Sequence, residues 1–261
     1  MGAGHVHALY VHGHSPVHRL APQAKLVTLA VFILAVVATP REAFWAFGAY
    51  LLIVLGVARV AGLAAATVLR KLAIEVPFLA FALFLPFIGG GEQVHIGPLA
   101  LSVAGLWGMW SILAKGTIAV AASVVLAATT SVPEIIVGLD RLRMPRVITA
   151  IAGFMVRYLD LTVEEARRMA IARQARGHDP RWIWQARATA SSAGTLFIRS
   201  FERGERVHLA MVSRGYDGSM PPLVAGTGQA DPTPVDAAVW RTTLAPGVLA
   251  AGICVLTWLT R

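Results

Sequence analysis

Three groups of residues in this chain have types and spacings that could do chemistry. The first is a pair of Arg-Gly phrases, "ARQARGHDP" from Ala172 to Pro180 and "AMVSRGYDG" from Ala210 to Gly218. In each, an Ala is followed four residues later by Arg-Gly, then a ring, then Asp: Arg176-Gly177-His178-Asp179 and Arg214-Gly215-Tyr216-Asp217. A single copy needs no more than a helix cap, because Gly commonly follows a helix end and Arg suits the negative end of the dipole. Asp could then cap the next helix. Two copies, each closing an amphipathic stretch, point further. Arg offers a planar fork that grips carboxylates at two points. Held at a helix tip by a Gly that lets the chain turn away, it is suited to plug an acidic groove on a partner, and two plugs imply two equivalent grooves.

The second group is histidine. His5, His7, His12, His14 and His18 all precede Arg19, and neutral imidazoles at short spacing bind nickel, cobalt, copper or zinc. The tail reads as an incidental polar terminus with His18 in a structural turn, and no metal site is expected. The third group is the pair of charges inside apolar runs, Glu75 and Lys115, where charges are costly and often functional. Glu75 is expected to pair with Arg70 and Lys71, and Lys115 with a carbonyl freed at a helix break or with another subunit. Lys115-Gly116-Thr117 stands in the wrong order for a phosphate-binding loop, Gly-x4-Gly-Lys-Ser/Thr. No catalytic residue or cofactor is expected. An enzyme built on His18 or His178 is disfavoured, because no second acid, base or ligand stands at a compatible spacing.

These groups hang on a very apolar chain. Of 261 residues, 56% are apolar and only 14% charged, against about a quarter charged in soluble domains. The deficit places the chain in a membrane. Met1 to Leu20 is polar and His-rich, so no cleaved leader is expected. Cys254 is the single cysteine, which excludes an internal disulfide and a cysteine metal cluster. The net charge is +9, but 14 of the 23 basic and nine of the 14 acidic residues share the stretch from Pro133 to Met220. That mixed-sign, helical pattern differs from a nucleic-acid tail, and no nucleic-acid partner is expected.

Five apolar runs could span the bilayer, each needing about 20 residues: Leu26 to Ala38 with its lead-in from Ala21, Phe44 to Val60, Leu72 to Ile88, Leu99 to Thr130 with a break near Gly116, and Ala237 to Leu259. "GGGEQVHIGP" reads as a turn-rich loop before the fourth. The fold class is therefore all-α, a polytopic membrane protein of about five spans. Its divisions are 1-20, a His-rich tail; 21-130, four spans; 131-218, cytoplasmic coupling helices; 219-236, a linker; and 237-261, the last span. Basic residues flanking the spans put the N-terminus in the cytoplasm of a multi-pass cell-membrane protein. Ile148 to Leu161 reads as a helix on the membrane surface rather than a sixth span. Asp160 to Arg176 and Trp182 to Arg214 read as long amphipathic helices. Trp107, Trp110, Trp182, Trp184 and Trp240 read as interface anchors or core.

With the Arg-Gly repeat, the spans and "SPVHRLAPQAKL" (Ser15 to Leu26) in place, the chain resembles the transmembrane T component of energy-coupling factor transporters, in particular the cobalt type, CbiQ. The resemblance implies a non-catalytic scaffold of an importer of cobalt or nickel. ATP would be hydrolysed by two cytoplasmic ABC ATPase subunits, and substrate held by a membrane S component, with a small accessory membrane subunit. Carried over by position, Ala175-Arg176-Gly177 and Ser213-Arg214-Gly215 are the ATPase-docking motifs, the second with Ser where the family has Ala. ATPase closure would draw the two Arg tips together. A T component for a vitamin such as biotin, or a plain membrane anchor, would look much the same.

Overall fold

The computed structural model describes residues 10–11, 13, 15–88, 90, 93–96, 99–177, 186–217 and 237–260. The His5, His7, His12 and His14 positions, His178, Asp179, Trp182, Trp184 and the 219-236 linker lie outside the described residues. The elements run α1 (Pro22–Ala38), α2 (Phe44–Val60), α3 (Ala65–Lys71), a 3-10 turn (Leu72–Glu75), α4 (Val76–Ile88), β1 (Gln93–Ile96), β2 (Leu99–Ser102), α5 (Val103–Thr129), α6 (Val132–Arg141), α7 (Arg146–Ala175), α8 (Ala186–Val212) and α9 (Ala237–Leu259). The chain divides into two compact units, one of residues 9–138 with 228–261, the other of 1–8 with 139–227.

The first unit is built from α1, α2, α5 and α9 around a core of Phe32, Val36, Phe47, Tyr50, Val54, Ile118, Val125 and Ala250. α9 runs alongside α1 in the same direction: Thr28 Oγ1 donates to Thr243 O at 2.9 Å, and Trp258 Nε1 donates to Ala38 O at 3.2 Å. Two helices, Val103–Thr129 and Trp240–Leu259, are long and apolar enough to cross a membrane, and Pro22–Ala38, Phe44–Val60 and Val76–Ile88 are shorter apolar helices. Their outer faces carry Leu34, Leu52, Phe78, Phe81, Phe84, Ile88 and Leu259, all more than half exposed. So large an apolar surface is stable against lipid tails, not water. Trp240 and Trp258 stand about 27 Å apart along α9, close to the ~30 Å of a hydrocarbon core. Trp45, Trp107 and Trp110 gather at the Trp258 end, where Phe44 packs on both α5 tryptophans and Arg41 lies over Trp107.

Three features differ from the sequence reading. The fourth run does not begin as helix: Leu99–Ser102 pairs antiparallel with Gln93–Ile96, Val94 facing Leu101 and His95 facing Ala100. The expected loop thus holds half of a hairpin, and among the described residues the chain is otherwise helical. Ser102 ends the strand and caps α5, accepting from Gly105 N at 3.2 Å and donating to Gly90 O at 3.0 Å. Second, α5 passes Gly116 unbroken. A Cβ there would stand 2.5 Å from Glu75 Oε1, so Gly116 makes room for a neighbour's carboxyl. Third, Ile148 to Leu161 and the stretch from Asp160 on belong to one 30-residue helix, α7, with Arg176 at its C-cap.

The Ser15-to-Leu26 phrase folds into a knot at the end of α5. His18 Nε2 donates to Val11 O at 3.0 Å, which leaves Nδ1 to accept from Ser15 Oγ at 2.6 Å. Lys25, only 6% exposed, donates to His18 O, Thr129 O and Thr130 Oγ1 at 3.0 to 3.2 Å. Val11 N adds a bond to Ala128 O at 3.0 Å. These donors satisfy carbonyls that the end of α5 leaves without helical partners.

Candidate functional site

Both Arg-Gly phrases terminate helices. At the end of α8, Gly215 N donates to Val212 O and Tyr216 N to Met211 O, each at 3.0 Å, and Gly215 has φ +89. This pair of bonds is a complete Schellman cap. At the end of α7, Gly177 N donates to Gln174 O at 2.9 Å with φ +78. The left-handed backbone is what calls for glycine, since a Cβ at either position would meet nothing within 4 Å. α2 closes in the same way at Gly62, but with Ala61 before the glycine. The cap is therefore generic, and the Arg preceding it is what sets these two ends apart.

Ala175, Arg176 and Gly177, and Ser213, Arg214 and Gly215, are all exposed. Tyr216 is not: it folds back edge-on to His208, ring centroids 6.5 Å apart, beside Met211. This is the apolar contact that accompanies a Schellman turn, and it accounts for the ring that follows the second Arg-Gly. Tyr216, His208, Val207 and Met211 share a groove of about 310 Å³ with Phe154 and Tyr158 of α7.

Glu165 carries no distinguishing mark in the sequence, yet it ties the two helices. Arg199 Nη1 donates to Glu165 Oε1 at 2.9 Å and Arg203 Nη2 to Oε2 at 3.0 Å. The bond from Arg199, with the charges of Arg203 and Arg168, holds the Glu165 carboxyl below its usual range despite partial burial. A glutamate whose arginines sit on the next long helix has no local signal. The contact also fixes geometry. The groove runs back from Thr162 to Phe154 on α7 and forward from Ser200 to Met211 on α8, so the helices are antiparallel. Arg176 stands about 16 Å past Glu165 along α7, and Arg214 stands about 20 Å past the middle of the Arg199–Arg203 pair, in the opposite direction. The two Arg tips thus lie at opposite ends of the α7–α8 pair.

The two charges inside the apolar runs are met within the protein. Glu75 is 5% exposed and its carboxyl lies against Gly116 of α5. The expected surface pairing of this side chain with Arg70 and Lys71 gives way to burial in the 3-10 turn against α5. Lys115 Nζ donates to Val37 O at 2.7 Å, so the carbonyl it meets is one freed at the end of α1, with no break in α5. Among the described residues there is no group of three His, Cys, Asp or Glu placed to hold a metal.

Comparison with known proteins gives this architecture a family. Residues 13–223 match the model of the cobalt transport protein family CbiQ. A protein of Bacillus selenitireducens named energy-coupling factor transporter transmembrane protein EcfT is 30% identical over 223 residues, 80% of this chain and 82% of its own. Its namesake from Thermosediminibacter oceani is 26% identical over 222 residues, 80% and 83% of the two chains. The cobalt transport protein CbiQ of Rhodobacter capsulatus is 34% identical over a shorter stretch of 96 residues, 36% and 39%. With more than three quarters of its length inside the match, the chain belongs to the CbiQ cobalt transport protein family, the transmembrane components of energy-coupling factor transporters.

Proposed function

We propose that this chain is the non-catalytic membrane scaffold of an ATP-driven importer, and that Ala175-Arg176-Gly177 and Ser213-Arg214-Gly215 are its handles for two cytoplasmic ABC ATPase subunits. The observation that carries the reading is the pair of exposed guanidiniums on glycine-capped helix ends, at opposite ends of one antiparallel pair. Two sites about 36 Å apart along the helices suit one subunit each. In this reading α1, α2, the α3–α4 segment, α5 and α9 are five spans, 21-130 and 237-261 form the membrane domain, and 131-218 is the cytoplasmic coupling region, with the N-terminus on the same side. ATPase closure displaces the tips, and α7 and α8 carry the motion to a substrate-binding S component, with a small accessory membrane subunit. Such a contact transmits work only if it differs between ATPase states.

Cobalt is the proposed cargo, with nickel next. The relatives that align over about four fifths of the chain bear the general transporter name, and two named for cobalt transport align over about a third and about half of it. That contrast supports a vitamin such as biotin as the second reading. The test is co-purification. Arg176→Glu with Arg214→Glu is expected to abolish capture of the ATPase subunits while the chain stays in the membrane, since reversed charges in a desolvated groove cost several kcal/mol. Stoichiometric ATPase capture by the double variant would refute the docking model.

A further inference from the structure

The ion pairs of the α7–α8 unit differ in kind. Arg168–Glu164 and Arg206–Glu202 are single contacts at 4.0 Å along one helix, with every partner more than half exposed. Pairs like these contribute little. Glu165 has a side chain only 16% exposed, with Arg203 at 31% and Arg199 at 55%, and takes a separate guanidinium on each oxygen, at 2.9 and 3.0 Å. Such charge-assisted bonds are short and strong. Arg199 and Arg203 sit one turn apart on α8, so the contact is a point on α7 and a short line on α8. That geometry resists sliding along the axes, because any shift of a turn breaks at least one bond, but it leaves rotation about the point open.

The surroundings do not lock that rotation. Beside the contact, the groove lined by Tyr158, Thr162, Ser200 and Gly204 holds about 310 Å³, and a Cβ on Gly204 would meet nothing within 4 Å. A fully interdigitated helix pair has no such space. Phe197, Ile198 and Phe201, which share the same stretch of α8, are 57 to 71% exposed and add little to the seam. Charge at one locus, not a continuous apolar interface, registers α7 against α8.

We infer that Glu165, gripped by Arg199 and Arg203, is the pin about which α7 and α8 swing when their Arg-Gly tips are displaced, and hence a positioning residue for energy coupling. The inference rests on the docking reading above. The pin divides the assembly into arms of about 16 and 20 Å, so a turn of roughly 10° carries each tip about 3 Å. Near-equal arms let one rotation serve both ATPase contacts.

The test places spin labels at Gln174→Cys and Ala190→Cys, exposed positions outside both motifs and on the same side of the pin, where a swing of about 10° opens the two helices by about 2 to 3 Å, in a Cys254→Ser background of the full chain in lipid nanodiscs. Label-to-label distances are measured by double electron–electron resonance, for the chain alone and for its complex with the ATPase subunits, with and without ATP. Glu165→Gln is expected to widen the distribution about twofold and to shrink the ATP-dependent shift by at least about as much, with ATPase capture retained. The charge-swapped variant Glu165→Arg/Arg199→Glu/Arg203→Glu is expected to restore both. A Glu165→Gln variant with the parent's distribution, or a swap that restores neither readout, would overturn the pin. The distribution of the isolated chain needs no ATPase, so a failure of docking shows separately, in the capture experiment.

Discussion

Gly177 and Gly215 allow a prediction that separates a capping glycine from a contact glycine. Both have φ between +78 and +89, and a Cβ at either would meet nothing within 4 Å. The cost of Ala there is purely conformational, about 1 kcal/mol for holding a Cβ in the left-handed region. The alternative to that strain is continuation of the helix, which rotates the exit of the chain by about 100° per added residue and re-aims the tip. Either route is expected to subtract about 1 kcal/mol from each proposed docking contact, a roughly fivefold weakening per tip. Asn, which visits the left-handed region at less cost, is expected to lose less than Ala, and Val more. The assay is the affinity of full-length variants in nanodiscs for the isolated ATPase subunits, by biolayer interferometry. The ranking Gly, Asn, Ala, Val is expected at both positions. If Asn binds worse than Ala, size rather than backbone conformation matters, and each glycine would be a surface that touches the partner.

Three further outcomes are expected from the same geometry. Lys25→Met is expected to lower thermal stability in detergent by about 1 to 3 kcal/mol or more, because it strips a donor from buried carbonyl and hydroxyl oxygens at Thr129 and Thr130; an unchanged melting temperature would contradict the knot. Gly116→Ala gains about 1 kcal/mol of helix propensity but must push the Glu75 carboxyl from its place, so it is expected to stabilise the protein more in a Glu75→Ala background than in the parent, which thermal denaturation of the two single variants and the double variant would decide. The Glu165 carboxyl, held low by Arg199, Arg203 and Arg168, contributes stability that is present above the unfolded value of about 4.3 and is lost as pH falls through the lower folded one. Acid titration of the spin-label distances is therefore expected to broaden them only once the pH has fallen below the usual glutamate range, and Glu165→Gln is expected to abolish that transition.

What the sequence makes legible depends on how local each signal is. α2 and α9 fall at the expected residues because an unbroken apolar run with polar flanks is its own evidence. The Arg-Gly ends are readable because a cap involves neighbours only a turn apart. The second strand of the hairpin, Leu99–Ser102, is hidden inside an apolar run whose composition suits helix or strand equally, and only the Ser102 cap marks where one becomes the other. Gly116 misleads for the opposite reason: its glycine answers to Glu75, which lies on a different element and leaves no trace in any local pattern.

The same distinction explains why the proposed handles are legible and their linkage is not. Arg176 and Arg214 advertise themselves because a repeated phrase carries them and, among the described residues, no ion pair uses their charge. Glu165 sits in "TVEEARR", where each acid has an Arg three or four residues on or nearer and an ordinary solvated helix face explains the pattern. Only the fold separates Glu164, which follows that pattern to Arg168, from Glu165, which turns instead to α8. Coupling needs both kinds of residue: tips that can be pushed, and a fixed point that turns the push into rotation. A tip without a pivot would transmit little, since a loosely held helix absorbs displacement by sliding. Variants at Glu165 should therefore leave the ATPase contact intact yet waste the ATP it consumes, while variants at Arg176 or Arg214 should lose the contact itself.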